Sequence, residues 1–181
     1  KRVADVLAEA GFTCEAYTEV EPEPSFQTIL KGAERMNEFE PDWVIGFGGG
    51  SAMDAAKAMW VFYENPDYTT LEETMPPNTI RHLREKARVC CIPTSAGTGS
   101  EATRAALIKD TVHKKKYSVR DMNGRLVPDV AILDPSFTVS MPKSLTAASG
   151  MDALTHAIES YVTPTANPFS RAMSLASFLY G

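Results

Sequence analysis

The chain has 181 residues, 44% of them apolar and 23% charged, a composition that builds one substantial core and excludes the disordered and fibrous classes. Its formal net charge is −5 and its longest basic run is Lys114-Lys115-Lys116, so the electrostatic footprint of a nucleic-acid binder is missing and a small-molecule partner is expected. Cys14, Cys90 and Cys91 are odd in number and outside any C-x-x-C frame, which fits a reduced, cytoplasmic setting; no apolar run reaches the ~18 residues of a membrane span.

The sequence starts at Lys1 rather than Met and stops at Leu179-Tyr180-Gly181 within a helical pattern, so a fragment of a longer protein is expected. Val3, Val6, Leu7 and Ala10 stand at helical spacing over residues 2–10, ahead of Gly11. Residues 12–17 read as a short strand. Glu21-Pro22-Glu23-Pro24 must then be an extended loop, because each proline disfavours helix at the residue before it. Ser25 is placed to cap a helix over 26–38, which puts Ile29, Leu30, Ala33 and Met36 on one face.

Trp43-Val44-Ile45-Gly46-Phe47 is an apolar run without alternation, the pattern of a parallel strand buried on both faces. Gly48, Gly49 and Gly50 follow as a strand-to-helix turn, and Ser51 opens a helix rich in good helix formers. Residues 64–87, with three prolines, read as a connection holding at most one short helix. A second buried strand at 88–93 runs into a loop of small residues, 94–101. Residues 105–108 and 117–119 can pair as an antiparallel excursion, and 130–133 is a last parallel-type strand. Beyond Pro142 the pattern is helical, about 143–148, 150–162 and 168–180. An α/β nucleotide-binding domain over 1–140 and the start of a helical domain over 141–181 are therefore expected, with ligands at the carboxyl ends of the parallel strands.

Gly48-Gly49-Gly50-Ser51 lets backbone approach a ligand closely, and the helix after it aims free N–H groups and a positive dipole end at the same point. That suits a phosphate, with Ser51 capping the helix when the site is empty. The Walker pattern fails because Lys57 arrives too far down the helix, and the Rossmann pattern fails because Ser51 stands where its third glycine belongs. The 94–101 loop offers the hydroxyls of Thr94, Ser95, Thr98 and Ser100 to a ribose or phosphate. Asp152 and His156, four residues apart, share a helix face and can jointly hold a divalent metal; an i,i+4 surface ion pair is the alternative. His82 and His113 sit in polar settings and read as solvated.

Four stretches together resemble the iron-containing (group III) alcohol dehydrogenase family: residues 48–57, 93–101, 128–135 and 141–159. Residues 57–64 are similar to the branch with butanol, 1,3-propanediol and 4-hydroxybutyrate dehydrogenases and the alcohol module of bifunctional aldehyde-alcohol dehydrogenases. The resemblance implies a dehydroquinate-synthase-like α/β fold followed by a helical domain, with the site between them. It implies NAD or NADP as cofactor and Fe²⁺, with Zn²⁺ compatible, as metal. Gly49, Gly50 and Ser51 would hold the pyrophosphate, and Asp54 would lie beside the nicotinamide. Thr94, Ser95 and Thr98 would line the cofactor, Lys116 would approach the nicotinamide ribose, and Asp152 and His156 would be two of four metal ligands. A small alcohol or aldehyde substrate and a homo-oligomer, dimeric or filamentous, are implied as well. The competing readings are a lyase or cyclase of the same fold acting on a sugar phosphate, and a non-catalytic nucleotide-binding module.

Overall fold

The computed structural model describes residues 2–180. Helix α1 (Arg2–Glu9) leads through a loop to α2 (Phe26–Phe39), whose first turn is capped by Ser25: the Thr28 N–H donates to its Oγ at 3.2 Å. The strand expected over 12–17 is absent; those residues find no ladder partner among the described residues, and Phe12 stands 63% exposed. A lone extended segment without a neighbouring strand has nothing to bond its backbone groups to.

Strand β1 (Trp43–Gly48) turns directly into α3 (Gly50–Glu64), and β2 (Arg88–Pro93) lies parallel to β1 in the register Val44↔Val89, Gly46↔Cys91, Gly48↔Pro93. Between β2 and the third parallel strand, β5 (Val130–Ala131), the chain makes an antiparallel hairpin of β3 (Ala105–Asp110) and β4 (Lys115–Arg120). The parallel sheet has the order β1-β2-β5. This is the α/β architecture with a parallel sheet that the strand and helix alternation predicts. β5 is shorter than the expected 130–133, although the Ile132 N–H still donates to the Cys91 carbonyl at 3.0 Å.

Helix α3 is the centre of the core. Every residue from Ala55 to Glu64 is buried, and the helix packs on β1, α2, β2 and β3. Ile29, Met53, Trp60, Val61, Val89 and Ile108 are nearly inaccessible, each worth about 1.5–3 kcal/mol relative to exposure. Polar groups among them are satisfied. The Trp60 Nε1–H donates to Glu64 Oε1 (3.1 Å) and the Ala87 carbonyl (3.0 Å), and the Glu64 carboxylate also accepts the backbone N–H groups of Glu85, Lys86 and Ala87. Asn65 bonds the carbonyls of Val61 and His82 and accepts the His82 N–H. The proline-rich connection, with one 3₁₀ turn at Glu72–Thr74, is therefore stapled to the end of α3 rather than folded on its own. Arg84 does the same for the approach to β5, donating to Asp129 Oδ1 (2.7 Å) and to the carbonyls of Arg125 and Val127.

Two further sequence expectations need correction. Among the described residues β1 is covered on one face, since α3 packs on Val44 and Gly46 while Trp43, Ile45 and Phe47 stay 37–43% exposed. An apolar run reports that a strand is apolar, not how many faces are covered. The helical region past Pro142 is one helix, α4 (Lys143–Val162), unbroken at Gly150, followed by α5 (Pro168–Tyr180). A mid-helix glycine costs ~1 kcal/mol relative to alanine, a loss that the surrounding Ala147, Ala148, Met151, Ala153 and Leu154 tolerate.

Candidate active site

The carboxyl ends of β1 and β2 deliver the two small-residue loops side by side, and the Thr94 N–H donates to the Gly48 carbonyl at 2.9 Å. Their contact explains two of the glycines. A Cβ on Gly49 would come within 3.2 Å of Ser95 Oγ, and one on Gly50 within 3.0 Å of Thr98 Cγ2. The glycine loop is thus compressed against Ser95 and Thr98, which brings their hydroxyls to the start of α3.

Ser51 is not the cap of that helix. Gly49 occupies the cap position without a side-chain bond, its carbonyl taking the N–H groups of Ala52 and Met53, while Ser51 Oγ accepts the Glu23 N–H at 3.3 Å. The N–H groups of Gly50 and Ser51, at the first two helical positions, have no intrahelical acceptor. The anion-binding end of α3 is left open as a result.

A cleft of about 410 Å³ opens over this helix end. Gly50, Ser51, Asp54, Thr98, Lys116, Asp152 and His156 all line it, together with Ser100, Glu23 and Lys109. Of the eleven residues singled out in the sequence as ligand-binding, these seven and Ser100 share the cleft; Gly49, Thr94 and Ser95 lie in the adjoining loops and do not line it. Asp152 Oδ1 and His156 Nε2 are 3.8 Å apart and about half exposed on α4. Among the described residues no cluster of three or more His, Cys, Asp or Glu forms a complete metal shell. An oxygen and an imidazole nitrogen on one helix face, open to a cleft, fit two positions of an iron or zinc coordination sphere. His82 and His113 lie elsewhere, exposed, paired with Glu85 and Asp110.

Three participants escaped the sequence reading. Lys57, rejected as a phosphate lysine, is fully buried. Its ammonium donates to the carbonyls of Ser100 (2.9 Å) and Ala105 (2.6 Å) and to Thr103 Oγ1 (3.1 Å), and it lies 3.2 Å from Asp54 Oδ1. Burial pushes the Lys57 ammonium below its ordinary value, and the Asp54 carboxylate partly restores it. Asp54 itself accepts Ser100 Oγ–H on Oδ1 (2.5 Å) and the Leu107 N–H on Oδ2 (2.9 Å). The i,i+3 spacing of Asp54 and Lys57 was the available signal.

Glu23, at φ 56°, pairs with Lys116 and with Lys109 (3.4 Å), and these lysines hold its exposed carboxyl below the usual range. Gly97 is the third. Its φ is +131°, and a Cβ there would fall 2.2 Å from the Ser149 carbonyl oxygen, so the hydroxyl loop rests on the backbone of α4. Arg104, the basic residue next to that loop, turns away to the Met122 carbonyl.

The profile described as Iron-containing alcohol dehydrogenase matches residues 1–135, and that described as Fe-containing alcohol dehydrogenase family, C-terminal, matches residues 146–178. The chain belongs to the iron-containing alcohol dehydrogenase family. It is 46% identical over 174 residues to an NADPH-dependent butanol dehydrogenase of Clostridium saccharobutylicum, covering 96% of this chain and 44% of that protein. It is 41% identical over 181 residues to the bifunctional aldehyde-alcohol dehydrogenase AdhE of Escherichia coli, with 96% and 20% covered. The chain therefore spans less than half the length of these relatives. Among solved structures, an iron-containing alcohol dehydrogenase from Thermotoga maritima superposes with a TM-score of 0.85 at 36% identity, covering 96% of this chain and 46% of that one. A sulfoacetaldehyde reductase from Bifidobacterium kashiwanohense in complex with NAD⁺ gives 0.83 at 30% identity, with 95% and 45% covered. Both solved structures share the α/β fold described above.

Proposed function

We propose that this chain carries the cofactor loop and half the metal site of an alcohol dehydrogenase that moves a hydride between a small primary alcohol or aldehyde and NAD or NADP. One observation carries the reading: a single cleft gathers an open helix N-terminus, the Thr98 hydroxyl and Lys116 with the Asp152–His156 pair. Gly49, Gly50 and Ser51 present backbone N–H groups to the pyrophosphate. Thr94, Ser95 and Thr98 bond the cofactor from the facing loop, and Lys109 and Lys116 supply positive charge at the rim. Asp54 holds the walls of the cleft together beside the nicotinamide end. Asp152 and His156 would hold the metal, which when bound supplies Lewis-acid polarisation of the substrate oxygen. The name of one relative, butanol dehydrogenase, supports a small primary alcohol.

The proposal includes a boundary near residue 140 between an α/β unit and a helical one, supported by the end of the parallel sheet at β5 and the entry into α4 after Pro142. It includes a homo-oligomer, to be read by sedimentation, and a reducing cytoplasmic location, which suits three free cysteines. Among the described residues no helix is long and apolar enough to cross a membrane.

The test uses the metal-loaded protein with its full reading frame: alcohol-dependent reduction of NAD or NADP is expected, and no absorbance change with either cofactor would reject the assignment. Asp152→Ala should reduce bound metal and turnover while cofactor binding persists. Undiminished metal in that variant would return Asp152 and His156 to a surface ion pair.

A further inference from the structure

α4 touches the rest of the chain sparingly. Of its twenty residues only Ser149 and Ala157 are buried, and its main packing partner is α5. Ala157 lines the apolar groove between α4 and α5, so it belongs to the helical hairpin. Ser149 instead carries the contact with Gly97 of the hydroxyl loop. Asp152 lies three residues beyond Ser149 and His156 seven, so both follow it on nearly the same side of the helix.

The other end of that loop is fixed to α3. Ser100 Oγ–H bonds Asp54, and the Ser100 carbonyl accepts from buried Lys57, whose other donors reach Thr103 and Ala105 at the start of β3. Asp54 and Lys57 lie on the helix whose N-terminus is Gly50. One rigid path therefore runs from the glycine loop, through Asp54 and Lys57, to Ser100, along three residues to Gly97, and onto Ser149. We infer that the 97–100 segment is a positioning element that registers α4, and with it the Asp152–His156 pair, against the glycine loop, with Gly97 as its contact point.

Gly97 suits this role because it has no side chain to keep the two backbones apart, and its φ of +131° lies where L side chains are strained. Alanine there must displace either the loop or α4. Lys57 and the Ser100–Asp54 bond pin the loop to α3, so the displacement falls on α4. Hydride transfer depends steeply on the distance between reacting atoms, so a shift of α4 relative to a correctly bound cofactor acts on the chemical step before it acts on binding.

The inference rests on the reading of the cleft as a dinucleotide and metal site, and its test separates the two. Hydrogen exchange of the nucleotide-free protein comes first: Gly97→Ala should raise exchange at residues 146–153 at least threefold while β1 and β2 stay protected. In the wild type, NADH or NADPH should protect those same α4 amides, and in Gly97→Ala this protection should vanish while the dissociation constant of the nucleotide changes less than threefold. In the holoenzyme, kcat should fall at least tenfold with a larger deuterium isotope effect from labelled alcohol, since a mere loss of folded enzyme would leave the isotope effect unchanged. Ser100→Ala, which frees the loop from Asp54 without adding bulk, should move exchange at 146–153 in the same direction and covers the case in which Gly97→Ala does not fold. Unchanged exchange at 146–153 in a folded variant overturns the inference. A wild type that binds neither nucleotide, with the exchange effect of Gly97→Ala intact, overturns the dehydrogenase reading and leaves the register of α4 standing.

Discussion

Replacing Lys57 with Met keeps the length and much of the volume of a side chain that is fully buried, so the packing loss is small. What disappears is a set of three donors at 2.6–3.1 Å and the charge facing Asp54. Removing one member of a buried pair costs ~3–5 kcal/mol, because the other charge and its acceptors are stranded. Asp54 retains 14% side-chain exposure and two further bonds, from Ser100 and Leu107, which places the expected loss for Lys57→Met near the lower end, about 3 kcal/mol. Asp54→Asn in the same background removes the stranded charge, so the double variant should be less destabilised than the sum of the singles by roughly 1–3 kcal/mol. Urea unfolding reads both, with inaccessible Trp60 as the fluorescent reporter of the core. A Lys57→Met protein within about 0.5 kcal/mol of wild type, or strictly additive variants, would refute the argument that this lysine is a charged tie.

Burial by itself would raise the Glu21 carboxyl, but bonds from Ser25 and Thr28 outweigh it and bring it from 4.5 to about 2. Its folded value lies below its unfolded one, so the stability it contributes is full above pH ~4.5 and drains away as the pH falls towards 2; the stability difference between wild type and Glu21→Gln, measured by denaturation across that window, should shrink on acidification. Burial pushes Cys91 up to about 12 and also raises Cys90, while Cys14 is exposed. One thiol should therefore react with a maleimide in the native protein and three after unfolding; peptide mapping that finds Cys90 or Cys91 labelled in the native state would contradict the burial. Gly50→Ala places a methyl group 3.0 Å from Thr98, so it should weaken nucleotide binding at least tenfold, read by nicotinamide fluorescence, with a thermal midpoint lowered by only a few degrees.

Much of this arrangement is legible in the sequence. Trp43-Val44-Ile45-Gly46-Phe47 before three glycines, and Val89-Cys90-Cys91-Ile92 before a run of hydroxyls, mark two parallel strands whose loops must meet, and they do. The hairpin of β3 and β4 follows from the short β-prone runs at 105–108 and 117–119. Lost to a linear reading is whatever depends on a distant partner. Nothing local to residues 12–17 says that no strand will lie beside them, and nothing local to Ser51 says that its hydroxyl will serve the Glu23 backbone in place of its own helix. Lys57 illustrates the point most sharply: ten residues of good helix formers give it a helical backbone, but only the fold brings the carbonyls of Ser100 and Ala105 to its ammonium. Gly97 likewise reads as turn chemistry until α4 is seen resting on it.

The burial of α3 on nearly all sides has a consequence for engineering. Its residues beyond the first turn are committed at once to the sheet, to α2, to the hairpin and to the proline-rich connection, so a substitution there disturbs four neighbours together. Glu23, Lys109 and Lys116 ring the mouth of the same cleft with side chains 45–60% exposed and few obligations elsewhere. A campaign to retune the charge at this mouth should randomise the rim and leave the helix untouched, because the rim is where the molecule can change what it grips without changing how it stands.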